Sequence, residues 1–221
     1  MCNMISLVNV FLKYTKEYYA LTNVSLSADK GEVVALCGPK DSGKTCILRI
    51  LSGLEKIDKG EVYIKDIPLE KVDYSTDVSL GLLPYKTIFF EKKTVYDNLK
   101  YVLEVRGTDK AVIEDKINNA IIDFRLESIK DVPICKLTNF EKYLVSIARL
   151  SFRKLEICLI DNIFEELKPE EIKELMKIFK KQFINKSTLV IIATSSEELA
   201  KSIATKIAYI KYGVIERIEE N

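Results

Sequence analysis

A short glycine-rich segment constrains the fold of this chain more than any other feature of its sequence. The residues Gly38–Thr45 read GPKDSGKT and match the pattern G-x-x-x-x-G-K-[ST]. The continuous apolar run Val33–Cys37 precedes them, as in a strand covered on both faces, and a helical stretch follows as far as Gly53. A glycine turn between a strand and a helix lets backbone N–H groups surround phosphate oxygens at the helix N-terminus. This context favours a phosphate-binding loop over a chance glycine turn.

The side chains of this loop and of a later strand end predict which groups contact phosphate and a metal ion. Lys44 can reach the terminal phosphates, and the Thr45 hydroxyl is placed to bind Mg²⁺. Asp161 ends the apolar run Ile157–Ile160 and is the carboxylate expected to hold the same ion, although it could instead cap the following turn. The predicted binding residues of the loop are Gly38, Pro39, Lys40, Asp41, Ser42, Gly43, Lys44, Thr45 and Cys46.

Apolar periodicity divides the rest of the chain into strands and helices. Alternating residues predict early antiparallel strands at Ile5–Phe11 and Val24–Leu26. Strands alternate with helices in both halves of the chain, which implies an α/β fold with a mostly parallel sheet. Helical spacing over Thr94–Phe124 predicts that an all-helical subdomain interrupts this sheet. The expected boundaries are 1–221 for one domain, about 1–85 and 155–221 for its core lobe, and about 86–154 for the helical subdomain.

Charge and residue usage exclude several classes of function. The chain carries 34 basic and 33 acidic side chains, a formal net charge of +1, so no excess of cations points to a nucleic-acid partner. It contains no histidine, which excludes a Ser-His-Asp triad, a His-ligated zinc ion and a histidine proton switch. Its five cysteines include no C-x-x-C pair, as expected in a reducing cytosol. No uncharged apolar stretch approaches the roughly 18–20 residues that span a bilayer.

The order of these features resembles the nucleotide-binding subunit of ATP-binding cassette (ABC) transporters over essentially the whole chain. Besides the loop and Asp161, the resemblance rests on the segments Leu21–Leu26, Lys30–Glu32, Thr94–Leu99 and Val145–Arg149. It implies a P-loop NTPase (RecA-like) core with an N-terminal antiparallel β subdomain, and ATP and Mg²⁺ as cofactors. It also implies an integral membrane transporter subunit as partner, a homodimer or a heterodimer with another ABC subunit, and a position on the inner face of the cell membrane.

The resemblance further implies an aromatic residue upstream of the loop that stacks on adenine. Tyr14 lies in that part of the chain, and Tyr18 and Tyr19 are close competitors. Stacking of this kind contributes about 1–3 kcal/mol in other base–aromatic contacts. A tyrosine half-buried in the core is the alternative, because many tyrosines have that role.

The positions that perform hydrolysis in the family carry other residues here. Where the family has a glutamate that polarises the attacking water, directly after the magnesium aspartate, this chain has Asn162. Loss of a general base typically lowers a rate by about 10²–10⁴-fold. Ser195 stands at the position of the family's switch histidine, and Tyr85 aligns with its glutamine between the lobes. Glu165 and Glu166 lie too far along the turn to be simple substitutes, so we interpret them as solvated surface charge.

The family's signature sequence, which binds the ATP of the opposing subunit, has lost its glycines in this chain. The matching residues are Leu137, Thr138, Asn139, Phe140 and Glu141. Asn139 and Phe140 replace two glycines that allow close backbone approach, whereas Thr138 keeps a hydroxyl. The pattern Thr138-x-x-Glu141 is also a helix capping box, which explains the segment without a ligand. The two interpretations are compatible.

Two functions from different classes follow from this mixture of matches and losses. The first is an ATP-binding subunit whose dimer closes on Mg-ATP and drives a membrane partner, with weak hydrolysis of its own. The second is a non-hydrolysing, nucleotide-gated regulatory or scaffold subunit that pairs with an active paralogue. A soluble ABC protein of translation or DNA maintenance is a third option, although such proteins usually carry paired cassettes or long coiled-coil arms. In each case Asp41 would oppose phosphate binding unless its carboxylate points outward.

Overall fold

Strands and helices alternate along most of the chain. The computed structural model describes residues 3–15 and 18–221, and these residues form ten strands and six α-helices. The strands are β1 (Ile5–Lys13), β2 (Tyr19–Ala28), β3 (Val33–Cys37), β4 (Lys59–Ile64), β5 (Ile67–Pro68), β6 (Leu80–Leu83), β7 (Ile157–Asp161), β8 (Leu189–Thr194), β9 (Lys206–Lys211) and β10 (Val214–Glu220). The helices are α1 (Lys44–Leu51), α2 (Val95–Val105), α3 (Lys110–Asp123), α4 (Asn139–Ser151), α5 (Pro169–Phe183) and α6 (Glu197–Ile203).

Six strands form the sheet that carries the glycine-rich loop, in the order β10-β9-β3-β8-β7-β6. All neighbouring pairs are parallel except β9 and β10, which are antiparallel. Every residue of β3, β7 and β8 is buried, which is why these strands are continuous apolar runs in the sequence. The structure thus confirms the predicted α/β class with a mostly parallel sheet. Because β3, β8 and β7 are parallel neighbours, their carboxyl ends meet at one edge of the sheet.

A smaller antiparallel sheet, β2-β1-β4-β5, is built mostly from the N-terminal part of the chain. Ile5 in β1 pairs with Ala28 on one side and with Ile64 on the other. The buried side chains of this sheet share one apolar core with strands of the parallel sheet and with the buried face of α1, including Ile47 and Leu51. The predicted N-terminal antiparallel strands are therefore confirmed, and their core supports the first helix after the loop.

The helical part of the chain begins after β6 and is organised by helix caps. Helix α2 starts at a capping box formed by Thr94 and Asp97, in which each side chain bonds the backbone N–H of the other residue. Gly107, with φ +68°, separates α2 from α3. None of the described helices is both long and apolar enough to cross a lipid bilayer.

Internal packing divides the chain into two units. The first comprises Met1–Pro84, Leu155–Glu165 and Phe183–Asn221, and the second comprises Tyr85–Lys154 and Glu166–Gln182. The first unit contains both sheets, the glycine-rich loop and Asp161. The second contains α2, α3, α4 and most of α5, whereas the bounds expected for the core lobe, about 1–85 and 155–221, include this helix. An amphipathic pattern shows that one face of a helix is buried, but it does not show which neighbour covers that face.

Candidate functional site

The glycine-rich loop connects the carboxyl end of β3 to the first turn of α1. Its glycines are required because a side chain at either position would collide with neighbouring backbone atoms. A Cβ atom on Gly38 would lie 2.0 Å from the backbone oxygen of Ile210. Gly43 has φ +103°, and a Cβ atom there would lie 2.8 Å from the backbone oxygen of Ala20. Gly43 is also the N-cap of α1, so the first N–H groups of the helix open toward the loop. The loop has the backbone geometry that an anion site needs.

Lys44 lies folded over the loop that precedes it. Its Nζ donates to the backbone oxygens of Pro39 at 2.6 Å and Gly38 at 2.7 Å, and to Ser42 Oγ at 3.2 Å. Burial lowers the pKa of the Lys44 ammonium group, and Glu165 is the strongest of the charges that raise it. A phosphate oxygen in the loop would compete with the two carbonyls for the ammonium protons. This geometry suits a lysine that contacts phosphate.

Two further side chains predicted for the loop are open to solvent, and a third is partly buried. Lys40 and Asp41 are exposed, and Asp41 has φ +60° in the left-handed region. The effect of the Asp41 carboxylate on phosphate binding stays a prediction. Cys46 is partly buried against the apolar core, and burial raises the pKa of its thiol. Its contribution to an anion site would be the backbone N–H in the first turn of α1.

The two predicted metal ligands meet between α1 and the end of β7. Thr45 Oγ1 donates to Asp161 Oδ1 at 2.8 Å, although the residues are 116 positions apart. Burial raises the pKa of the Asp161 carboxyl group, and the Thr45 hydrogen bond and the charge of Lys44 oppose that rise. Over residues 3–15 and 18–221, no cluster of three or more His, Cys, Asp or Glu side chains could hold a metal ion. An Mg²⁺ ion on Thr45 and Asp161 would complete its coordination with phosphate oxygens and water.

Glu165 contacts both positions where this chain departs from the family's hydrolytic residues. Ser195 Oγ donates to Glu165 Oε1 at 2.8 Å, and the side chain of Asn162 hydrogen-bonds the same carboxylate. The Asn162 bond is the main cause that lowers the pKa of Glu165, and Ser195 and Lys44 act in the same direction. Glu165 is exposed, as expected of solvated surface charge, but these contacts show that it is also paired. The contact depends on β7 and β8 being neighbours in the sheet, and no local sequence pattern reveals that pairing.

The segment that matches the signature forms a capping box at the start of α4. The N–H and the hydroxyl of Thr138 donate to Glu141 Oε2 at 2.7 and 2.8 Å, and the Glu141 N–H donates to Thr138 Oγ1 at 3.3 Å. Leu137 is buried and Phe140 is partly buried. The capping-box interpretation is confirmed, while binding of an opposing ATP by this segment stays a prediction.

Glu166 joins the signature segment to Tyr85 within the second unit. The Tyr85 hydroxyl donates to Glu166 Oε1, and Asn139 Nδ2 donates to Glu166 Oε2 at 3.0 Å. These residues line a cleft of about 270 Å³ together with Phe89 and Tyr143. Like Glu165, Glu166 is exposed, as expected of solvated surface charge, and it is also paired.

Two of the three tyrosines considered for stacking are open to solvent. Tyr14 is 76% exposed and Tyr18 is 55% exposed, at the two ends of the connection between β1 and β2. Tyr19 instead packs edge-on against Phe11, with ring centroids 6.2 Å apart, and Lys13 Nζ lies 5.5 Å from its ring centroid. The half-buried alternative is therefore wrong for Tyr14. Stacking on adenine stays a prediction for Tyr14, with Tyr18 as its competitor.

Comparison with known proteins places these features in one family. The family model described as ABC transporter matches residues 21–165, which include the loop, the signature segment and Asp161. The arginine transport ATP-binding protein ArtM of Bacillus subtilis is 31% identical over 204 residues, which cover 90% of this chain and 84% of that protein. The sulfate/thiosulfate import ATP-binding protein CysA of Halalkalibacterium halodurans is 27% identical over 205 residues, which cover 91% of this chain and 57% of that protein.

A solved structure of similar length has the same fold. The ATP-binding cassette MJ0796, in a dimeric post-hydrolysis state bound to ADP and Pi, matches with a TM-score of 0.84 and 26% identity, covering 98% of both chains. The chain spans only 57% to 62% of the length of seven curated relatives that it matches, CysA among them. With the family model covering more than half of its residues, the chain belongs to the ABC transporter family.

Proposed function

We propose that this chain binds Mg-ATP and couples nucleotide-driven dimer closure to an integral membrane transporter subunit. The observation that carries the proposal is the convergence of the glycine-rich loop, Lys44 and the Thr45–Asp161 pair in the first unit. Loop N–H groups and Lys44 would bind the phosphates, and Tyr14 would stack on adenine. Thr45 and Asp161 would hold Mg²⁺, which neutralises charge on the phosphates when bound.

The names of the relatives support a role in uptake across a membrane. CysA is named an import ATP-binding protein, and ArtM is named an arginine transport ATP-binding protein. We infer that this chain serves an importer from the inner face of the membrane, as a dimer with a copy of itself or with another ABC subunit. Each ATP would lie between the loop of one subunit and the signature segment of the other. In such a system the membrane subunit selects the substrate.

Hydrolysis by a homodimer of this chain is expected to be slow. Asn162 cannot usefully accept a proton, and the Ser195 hydroxyl is directed to Glu165. The test is phosphate release from Mg-ATP by the purified chain, compared with its Lys44→Ala variant. We expect a small rate that disappears in the variant. Turnover at or above about 1 s⁻¹, an ordinary enzyme rate, would refute slow hydrolysis.

A non-hydrolysing subunit that pairs with an active paralogue is the second candidate function. One observation favours it: Asn162 and Ser195 stand where the family has its hydrolytic glutamate and its switch histidine. In a reconstituted complex, an ATPase rate that is insensitive to Asn162→Glu would support this candidate. A rate that rises strongly with Asn162→Glu would support the first candidate, because it would show that this chain's own site limits turnover.

A further inference from the structure

Glu165 is held at the carboxyl edge of the parallel sheet by two neighbouring strand ends. Ser195 follows β8 and donates to Glu165 Oε1 at 2.8 Å, and Asn162 follows β7 and hydrogen-bonds the same side chain. Ile163 and Phe164, which precede Glu165, are 1% and 5% exposed, so the turn is anchored in the core. Glu165 itself is exposed. The result is a fixed carboxylate that water can reach.

Asn162 is fixed in an orientation that leaves one acceptor without a partner. Its backbone has φ +51°, in the left-handed region that asparagine tolerates, and its N–H donates to Ala193 O at 3.1 Å. The amide group hydrogen-bonds Glu165, while Oδ1 is buried and accepts no hydrogen bond from any described residue. A buried acceptor without a donor costs free energy, so this oxygen favours a small donor such as water beside the carboxylate.

Two lysines of the phosphate loop lower the pKa of the same carboxyl group. After the hydrogen bond from Asn162, which is the largest influence, Lys44 and Lys40 both lower the pKa of Glu165. Burial has the largest effect on the pKa of Lys44 and lowers it. Among the charged groups, Glu165 has the strongest effect on that pKa and raises it. Glu165 therefore stays ionised at neutral pH, near the lysine that we expect to contact the terminal phosphate.

We propose that Glu165 is the catalytic residue that activates water for attack on the terminal phosphate of ATP, and that Asn162 and Ser195 are positioning residues for its carboxylate. This inference rests on the proposed function, because it requires ATP in the loop. An O–H bond of water breaks and its proton passes to Glu165, while the water oxygen bonds to the γ-phosphorus. The bond between the γ-phosphorus and the β–γ bridging oxygen breaks, and ADP leaves with that electron pair. Inorganic phosphate or solvent then takes the proton from Glu165.

The same contacts agree with the slow hydrolysis that we expect of this chain. Hydrogen bonds to a carboxylate stabilise its charged form, which makes the group a weaker base. Glu165 accepts two of them, from Asn162 and Ser195, and faces the charge of Lys44. Glu165 therefore orients the attacking water, a recognised part of phosphoryl-transfer catalysis, and accepts its proton only as a weak base.

Phosphate release by the full chain, with ATP affinity measured separately by titration of a fluorescent ATP analogue, tests this assignment. Glu165→Gln removes the base with little change of size, and Glu165→Asp keeps a carboxylate on a shorter stem. Glu198→Gln is the matched control, because Glu198 is an exposed glutamate in the first turn of α6, just after β8. Ser195→Ala tests the positioning role. Each variant is compared with the unaltered chain and with Lys44→Ala.

We expect Glu165→Gln to lower kcat by at least about tenfold while the ATP affinity stays within about threefold. Glu165→Asp should keep part of the activity, and Glu198→Gln should match the unaltered chain. Ser195→Ala should lower kcat by a smaller factor and leave the affinity unchanged, as a positioning role requires.

Two results would overturn the assignment. One is a Glu165→Gln variant that hydrolyses ATP within about twofold of the unaltered chain, or faster than it. The other is an unaltered chain that releases phosphate no faster than Lys44→Ala. If the unaltered chain still binds ATP in either case, the assignment of Glu165 fails and the proposed function stands. If it binds no nucleotide, both fail.

Discussion

The Thr45 hydroxyl donates to Asp161 Oδ1 at 2.8 Å and so joins the first turn of α1 to the end of β7. Asp161 is only 7% exposed, and a carboxylate in that position is costly to ionise unless a cation or a donor compensates its charge. Hydroxyl and carboxylate oxygens are also the hard ligands that Mg²⁺ prefers. The pair is therefore better suited to binding a cation than to stabilising the fold.

Asp161→Asn is expected to stabilise the chain in the absence of nucleotide and to weaken binding of Mg-ATP. Burial raises the pKa of Asp161 in the folded chain. The protonated carboxyl group therefore contributes stability that is fully present below the ordinary pKa of aspartate. This contribution is lost as the pH rises through the raised pKa. The variant should therefore have a higher thermal unfolding midpoint at neutral pH. Its advantage should shrink as the pH falls and the aspartate becomes protonated.

The binding half of this prediction is measured by titration with ATP in the presence and absence of Mg²⁺. Loss of one ligand should weaken the Mg²⁺-dependent affinity by about 10–100-fold, the range seen when the surroundings of a metal site are altered. A lower unfolding midpoint combined with unchanged Mg-ATP affinity would mean that Asp161 is a structural residue, contrary to our assignment.

Gly38→Ala should be among the most damaging changes of a single methyl group in this chain. The new Cβ atom would lie 2.0 Å from the backbone oxygen of Ile210, so the loop or β9 must move. Overpacking of this kind typically costs about 1–3 kcal/mol, and displacement of the loop should also weaken ATP binding. Gly107→Ala is the control, because nothing lies within 4 Å of its added Cβ and only its φ of +68° is unfavourable. Urea unfolding should show a clearly larger loss for Gly38→Ala, and equal losses would argue against the close approach at Gly38.

Glu156→Gln is expected to destabilise the chain in a pH-dependent way. Glu156 accepts hydrogen bonds from the Ser79 N–H and from Lys65 Nζ, each at 3.0 Å. Burial raises the pKa of Glu156, but these bonds and the charge of Lys65 outweigh it and leave the pKa lowered. The ionised carboxylate thus stabilises the fold above its ordinary pKa, and this contribution is lost as the pH falls through the lowered value.

The loss expected for Glu156→Gln at neutral pH is about 1.5–3 kcal/mol, the range for hydrogen bonds to a charged group. Urea unfolding of both chains at neutral pH and at a pH near the ordinary glutamate value, about 4.3, measures it. The difference between the chains should be smaller at the lower pH. A difference that does not change with pH would show that the charge of Glu156 is unimportant.

Elements with a strong local pattern could be predicted from the sequence, whereas elements defined by their neighbours could not. The strands β3, β7 and β8 are buried on both faces and are continuous apolar runs. The apolar pattern gave no indication of β6, which has only four residues. It also gave no indication of β10, an edge strand of the sheet most of whose residues are exposed. Strand order depends on pairing between distant segments, which no single segment encodes.

The residues of the candidate functional site could likewise be predicted only where a local sequence pattern marks them. The loop and Asp161 could be predicted because phosphate binding needs a contiguous glycine pattern, followed at a later strand end by a carboxylate. Glu165 could not, because its partner Ser195 is 30 residues away and approaches it only through the β7–β8 pairing. The buried Asn98 was missed for a related reason: its amide group bonds the backbone of Phe90, Lys93 and Thr94, and such local contacts have no periodic signal.

We infer above all that the backbone of Gly38–Thr45 binds the phosphates of a nucleotide, with Mg²⁺ held by Thr45 and Asp161. Titration calorimetry of ATP into the full chain, with Mg²⁺ present, measures this binding. We predict saturable binding of one nucleotide per chain with a dissociation constant below about 1 mM, in the range of ordinary enzyme substrates, and strongly weakened binding by Lys44→Ala. No saturable heat up to millimolar ATP, or equal binding by Lys44→Ala, would contradict the claim.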